Sequence, residues 1–190
     1  MNKPIQLSTS ELARSILSFK GKKFSLNGYK PLEIIYDLDP DIMTIKCCRQ
    51  IGKSVSIGAI TTVKAISRPF FNSVYIAPLS IQTSRFSKLY LQPFAESELI
   101  NKYFKDTSSA ANIFMKQFSN GSMIFLSYAQ TEQDADRVRG MALDAFNYDE
   151  VQDCALEALP VLYEALAASP YKFKRHYGTA KSELNTLEVL

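Results

Sequence analysis

The sequence is poor in the residues that build metal and redox frameworks. It has three cysteines, one histidine and no tryptophan. Cys47, Cys48 and Cys154 form no Cys-x-x-Cys pair and have only His176 for company, which excludes a disulfide scaffold and leaves no zinc-site spacing. A reducing compartment fits. No apolar run approaches the ~18 residues of a membrane span, and the start shows no charged segment leading into an apolar core. A soluble, untargeted chain is expected. Charge of one sign is also missing: 22 Lys+Arg against 19 Asp+Glu leave +3, too little to argue for a nucleic-acid partner on charge alone. Repeats and low-complexity tracts are absent. What is abundant is apolar residue, 46% over 190 residues, enough for one compact domain with a core of its own.

The apolar residues are arranged in an alternation of short runs and longer helical patterns, the signature of strands joined by crossover helices in a mostly parallel sheet. Ser10 to Phe19 reads as a short amphipathic helix with Ser10 as its cap. Residues 27–31 and the acidic stretch Asp37 to Asp41 read as connecting structure. Strands are predicted at Ile42 to Cys47, Ser73 to Ala77, Asp144 to Tyr148 and Phe173 to Tyr177. Helices are predicted at Lys53 to Ile66, at Ile81 to Leu91 with a stop near Pro93, and at Leu156 to Ala168. Asn112 to Phe118 and Ser122 to Tyr128 flank Asn120-Gly121, the strongest short-range hairpin signal, and predict an antiparallel insert. Asn120-Gly121-Ser122 also matches a glycosylation sequon, which here reads as a turn. Glu183 to Leu190 looks like a helix opening without a stop signal, as in a fragment of a longer chain.

The sharpest motif is Cys48-Arg49-Gln50-Ile51-Gly52-Lys53-Ser54, set between an apolar strand and a helix. A phosphate-binding loop must sit in that place, because backbone N–H groups and a helix N-terminus then point at the phosphates while Lys53 reaches the terminal ones. The Ser54 hydroxyl would ligate magnesium. A second motif is Ala145-Phe146-Asn147-Tyr148-Asp149-Glu150, an apolar strand ending in two acids. Ligands of open α/β sheets bind at strand ends, so Asp149 can hold the metal while Glu150 faces the attacking water. The plainer reading of an Asp-Glu pair is a solvated turn.

Two further segments admit two readings each. Arg137-Val138-Arg139-Gly140 suits a helix end whose basic residues complement the dipole, or an arginine finger at Arg139. His176-Tyr177-Gly178-Thr179-Ala180 suits an ordinary strand exit, or a polar sensor of the terminal phosphate at Thr179. The basic and aromatic stretch Ser169 to Arg175 reads as a strand with a solvated basic face, with DNA contact as the alternative.

The order of these motifs resembles the motor half of bacteriophage terminase large subunits over roughly residues 27 to 190. Arg-Gln-x-Gly-Lys-Ser resembles the family's deviant phosphate loop, with Cys47 where the first glycine of the ordinary pattern belongs. An Arg-Gly precedes the acidic strand, and Gly178-Thr179 resembles the family's coupling motif, with Ala180 in place of its usual proline. The resemblance implies an α/β P-loop NTPase of the RecA/ASCE type, with a central, mostly parallel sheet between helices and an antiparallel hairpin. It implies a single ATPase domain over 1–190, in which 1–41 is the N-terminal, adenine-side segment and 42–190 the P-loop core. The loop residues Arg49, Gln50, Ile51, Gly52, Lys53 and Ser54 would bind ATP, joined by Tyr29, Lys30 and Pro31, which lie where the family contacts adenine. Magnesium would sit on Ser54 and Asp149. Glu150, Thr179 and either Arg139, acting on a neighbour, or Arg49, acting in its own subunit, would complete the chemistry. Implied partners are double-stranded DNA, a portal protein, a small terminase subunit and further copies in a ring, in the host cytoplasm and without a membrane. No carboxylate cluster suited to two-metal DNA cleavage follows the motor, so no nuclease activity is expected of this chain. A helicase-like translocase, suggested by Asp149-Glu150-Val151-Gln152, and a nucleotide-gated regulatory module stay open as other readings.

Overall fold

The computed structural model describes residues 7–28, 30–104 and 112–179, with the side chains of residues 30 and 31 left out. In chain order the elements are α1 (Thr9–Ile16), β1 (Ser18–Phe19), β2 (Lys22–Lys23), α2 (Lys30–Asp37), β3 (Ile42–Lys46), α3 (Lys53–Ser67), β4 (Asn72–Ala77), α4 (Ser80–Phe86), α5 (Gln92–Ala95), α6 (Glu98–Tyr103), β5 (Met115–Gln117), β6 (Met123–Tyr128), α7 (Glu132–Ala135), β7 (Ala145–Asp149), α8 (Ala158–Glu164) and β8 (Phe173–Gly178). Six strands form the main sheet in the order β3-β8-β7-β4-β6-β5. All pairs are parallel except β5 with β6, the predicted hairpin, whose second arm β6 is itself a sheet strand beside β4. Gly121 supplies the positive φ, +84°, that this turn needs.

The strands form because they are rich in residues that suit a sheet covered on both faces. Every residue of β7 is buried, and so are Ser73 to Ala77 of β4. One apolar layer, around Ile57, Val63, Phe94 and Leu126, lies between the sheet and α3; the other, around Phe146, Val151 and Leu162, lies under α8. Helix α3 is buried from Ser56 to Ile66, and its small residues allow that: a side chain at Gly58 would press on the Phe94 ring at 3.3 Å.

Several boundaries differ from the sequence expectation for identifiable reasons. Helix α1 is capped by Ser8 through a capping box with Glu11, because Ser10 is drawn inward to donate to Asp37. Phe19 leaves the helix and joins β1. The predicted helix after β4 does not stop at Pro93. It passes through a π turn, Ser87–Leu91, and continues as α5, whose first turn accommodates a proline that has no N–H to donate. Residues 30, 31 and 37, read as connecting structure, belong to a helix, α2 (Lys30–Asp37), and the third predicted helix shrinks to Ala158–Glu164. The acidic stretch is an anchor: Asp39 pairs with Lys64, Arg68 and Arg175. Arg175 is therefore buried rather than part of a solvated basic face.

His176 is 1% exposed, sharing hydrogen bonds with Tyr163 through Nε2 at 2.6 Å and with Thr44 through Nδ1 at 3.3 Å. Burial, with Lys174 and Arg175 nearby, pushes its pKa down to about 4. The folded chain therefore keeps this ring neutral while the unfolded chain protonates it near the ordinary ~6.5, so stability is lost as pH falls from that value towards 4. His176→Gln removes this titration. Urea unfolding at pH 7 and pH 4 should show the stability gap between parent and variant narrowing by roughly 2–3 kcal/mol at the lower pH.

Candidate active site

Three adjacent strands, β3, β8 and β7, deliver the predicted residues to one end of the sheet. Their register aligns Lys46 with Gly178 and Asp149 with Tyr177, so the loop after β3, the acids closing β7 and the exit of β8 share one edge. This is the carboxyl edge of the parallel strands, where open α/β sheets bind ligands. The loop is tied to β8 at its start, where the Cys47 N–H donates to the Gly178 carbonyl at 3.1 Å.

The loop then turns through two left-handed residues, Gln50 at φ +65° and Gly52 at φ +90°, into α3. Gly52 has no side chain with which to cap α3, and the Ser56 N–H makes the first intrahelical bond, to the Gly52 carbonyl. The N–H groups of Lys53, Ser54 and Val55 thus lie at the positive end of a 15-residue helix without intrahelical partners. They open onto a cleft of about 350 Å³ lined by Cys48, Arg49, Gln50, Lys53, Glu150 and Thr179, among others. Such an end suits an anion.

Lys53 lies between the two acids. Its Nζ donates to Glu150 Oε1 at 2.6 Å and lies 3.0 Å from Asp149 Oδ1. Burial alone would lower the lysine's pKa, but Asp149 and Glu150 outweigh it and raise it, so Lys53 is a cation. Burial raises the Asp149 pKa, opposed by Lys53 and by the Tyr75 hydroxyl, which donates to Oδ2 at 3.1 Å. Glu150 sits at φ +56°, a left-handed conformation rare outside glycine, and this turns the chain out of β7. Gln152 donates to Glu150 Oε2 at 2.5 Å and accepts from the Thr179 N–H at 3.1 Å.

The structure therefore brings Arg49, Gln50, Gly52, Lys53, Ser54, Glu150 and Thr179 to one cleft, with Asp149 buried beneath it. Ile51 belongs to the same loop but is not among the lining residues. Arg139 lies outside the cleft, exposed and paired with Asp136 at 2.9 Å. Tyr29 lies outside the described residues, as do the side chains of Lys30 and Pro31. Beside the cleft a hollow of about 300 Å³ is lined by Phe19, Phe24, Leu26, Leu32, Val55 and Ser56. Neither this hollow, nor Tyr90 at the cleft, nor Tyr75 on Asp149 was signalled by the sequence, because each depends on contacts between distant segments. Gln152 did carry a signal, its place two residues after the acid.

A family model described as terminase large subunit, T4-like-virus type, N-terminal, matches residues 45–159, well over half of the chain. The chain belongs to the terminase large subunits. No curated protein matches it in sequence. Among solved structures, the large terminase ATPase domain of Thermus phage P74-26 is 16% identical, with a TM-score of 0.71, covering 96% of this chain and 73% of that one. The large terminase of a second, thermophilic bacteriophage is 14% identical, with a TM-score of 0.57, covering 97% of this chain and 42% of that one. A complex of that second phage's protein with ADP is 12% identical, with a TM-score of 0.50, covering 72% of this chain and 33% of that one. At these identities the likeness establishes the fold: an α/β P-loop architecture with a mostly parallel sheet. Among the described residues no helix is long and apolar enough to cross a membrane.

The ion pair at the heart of this terminase fold yields a stability test. The side chains of Lys53 and Asp149 are 11% and 6% exposed, so removing the cation strands a buried carboxylate. Lys53→Met is expected to lower the unfolding free energy of the nucleotide-free chain by about 2–4 kcal/mol. Adding Asp149→Asn should recover most of that loss in urea titrations; a double variant no more stable than Lys53→Met would show that the pair does not carry the effect.

Proposed function

We propose that this terminase chain hydrolyses ATP and uses the turnover to drive double-stranded DNA into a viral capsid, with a helicase-like translocase or a nucleotide-gated module as the less supported readings. The observation that carries the proposal is the meeting of Lys53, Glu150 and Thr179 at one cleft, at the uncapped N-terminus of α3. Family membership and the ADP bound by the terminase of the second phage support it.

The phosphates would lie along the N–H groups of residues 53–55, and the base in the neighbouring hollow lined by Phe19, Phe24 and Leu32. Lys53 then exchanges two carboxylates for the terminal phosphates. Glu150, released from the lysine, accepts the proton of the attacking water as the water oxygen bonds to the terminal phosphorus and the bond to the bridging oxygen breaks. ADP and phosphate leave. Ser54 and Asp149 would hold magnesium, a hydroxyl and a carboxylate being oxygen ligands of the kind it takes. Bound there, magnesium supplies charge neutralisation on the phosphates. Thr179, lining the cleft, senses the terminal phosphate.

On this reading residues 1–190 are one ATPase domain, hydrolysing ATP without cutting DNA. Residues 1–41 form its nucleobase side and 42–190 its core. It would work in the host cytoplasm as a ring on a portal protein, supplied with DNA by a small terminase subunit. Support for these partners is the family membership.

Lys53→Ala is expected to abolish steady-state hydrolysis and weaken nucleotide binding, because it removes the cation facing the phosphates. Glu150→Gln should separate the two: the carboxamide keeps the shape but accepts no proton, so turnover falls by about 10²-fold or more while binding persists. Near-normal turnover in the Lys53 variant would sink the assignment.

The two arginines are separated by their positions. Arg49 lines the cleft of its own chain, whereas use of Arg139 as a finger requires a neighbour's cleft. If Arg139 serves, mixing Arg139→Ala with Glu150→Gln, each inactive alone, should restore activity in assemblies where an intact Glu150 meets an intact Arg139. A finger is worth about 10³ to 10⁵ in rate, so recovery should be plain. No recovery in mixtures shown to co-assemble would leave Arg49 as the finger.

A further inference from the structure

Gln152 occupies a position that the ATPase reading does not use. It lies in a short 3-10 helix, Val151–Asp153, that follows Glu150, with Val151 fully buried in the layer under α8. The turn is held on both sides: the Asp153 N–H donates to the Glu150 carbonyl at 3.0 Å, and the Ala155 N–H to the Gln130 carbonyl at 2.9 Å. The Gln152 side chain, in a residue only 7% exposed, has little room to turn away.

Its amide is used at both ends. Nε2 donates to the Glu150 carboxylate and Oε1 accepts from the Thr179 main-chain N–H. A glutamine is suited to this, because one planar group carries a donor and an acceptor on separate arms. A glutamate would keep the acceptor for Thr179 but set a second carboxylate against Glu150. A methionine would keep the length and lose both bonds. The two ends of the amide belong to different strands: Glu150 leaves β7, and Thr179 leaves β8.

We propose that Gln152 is a positioning residue that ties the carboxylate of Glu150 to the main chain of Thr179, so that exchange of the acid's partner is transmitted to the exit of β8. This rests on the reading of Glu150 as the group that activates water. With the cleft as it stands, Glu150 is held between Lys53 on Oε1 and Gln152 on Oε2. When Lys53 turns to a triphosphate, one of those restraints is withdrawn and the other remains. The carboxylate then moves on the Gln152 amide, and the Thr179 N–H at the amide's other end feels the movement. Gln152 fixes the direction of the acid for catalysis and couples its state to a neighbouring strand.

The test uses amide hydrogen exchange at Thr179 together with steady-state ATP turnover, on the parent chain, Gln152→Met and Gln152→Glu. In the parent, a non-hydrolysable ATP analogue with magnesium should change protection of the Thr179 amide. In Gln152→Met that amide should exchange at least tenfold faster without nucleotide and no longer respond to the analogue, and kcat should fall about tenfold with KM within twofold. In Gln152→Glu protection at Thr179 should persist while kcat still falls, a separation that general loosening of the turn would not produce. Unchanged kcat and unchanged Thr179 exchange in Gln152→Met, in a parent that hydrolyses ATP, would overturn the relay and leave the ATPase reading standing. A parent that neither binds the analogue nor hydrolyses ATP would overturn both.

Discussion

The buried contact of Lys53 with Asp149 and Glu150 is the constraint on which the site depends. One cation faces two acids at the edge of the sheet, where Lys53 and Asp149 are nearly sealed from water and Glu150 is partly open to the cleft. Charges withdrawn from water are costly to leave uncompensated, and here the compensation comes from groups that a nucleotide would recruit separately. On the proposed reading the phosphates would recruit the lysine, and the aspartate would be left to hold a metal. Lys53 thereby partly offsets the charge of both acids, so binding at this cleft would exchange one set of partners for another instead of creating charge in an unprepared cavity.

That exchange requires the strands to arrive in register, and the sheet order secures it. β8 lies between β3 and β7, so the strand that leads into the phosphate loop and the acidic strand are each hydrogen-bonded to the strand that ends at Gly178, just before Thr179. The Cys47 N–H on the Gly178 carbonyl and the Gln152 amide on the Thr179 N–H extend this arrangement past the ends of the strands. The exit of β8 is therefore hydrogen-bonded both to Cys47, ahead of the loop, and to Gln152, just after the acids. A shift in the loop or in the acids has a short covalent and hydrogen-bonded route to it.

Much of this was legible in the sequence because it is written locally. Gly52-Lys53-Ser54 between a strand and a helix, Asp149-Glu150 at the end of an apolar strand and Asn120-Gly121 between two strand patterns each act through their own neighbours. Burial, pairing and turns followed as expected at those places. What was not legible depends on segments that meet only in three dimensions. Ser10 cannot be known as a partner of Asp37, nor Arg175 as a partner of Asp39, from spacing in the chain. Pro93 was misleading for a local reason: a π turn just upstream of it alters which N–H groups the helix requires. The aromatic hollow beside the loop is assembled from β1, the segment at the end of β2, α2 and α3 and has no motif of its own.

The two ends of α3 are treated in opposite ways, and the contrast explains how an uncapped end is tolerated. At the C-terminal end, Lys64 and Arg68 converge with Arg175 on Asp39, and Phe71, Tyr171 and Phe173 lie against the Arg68 guanidinium at 5.4–5.5 Å. Cations near a helix C-terminus complement its dipole, and here they also bind the helix to β8 and to the segment before β3. At the N-terminal end the capping place is given to glycine, which makes no side-chain cap, and the first intrahelical bond runs from the Ser56 N–H to the Gly52 carbonyl. A helix buried along its length and clamped at its far end does not need a side-chain cap to stay in place. The stabilisation such a cap would supply, typically about 1 kcal/mol, is forgone, and the N–H groups it would have occupied stay open to the cleft. The distribution of stabilising contacts along α3 therefore places the helix's least satisfied groups at the phosphate loop, within reach of Lys53.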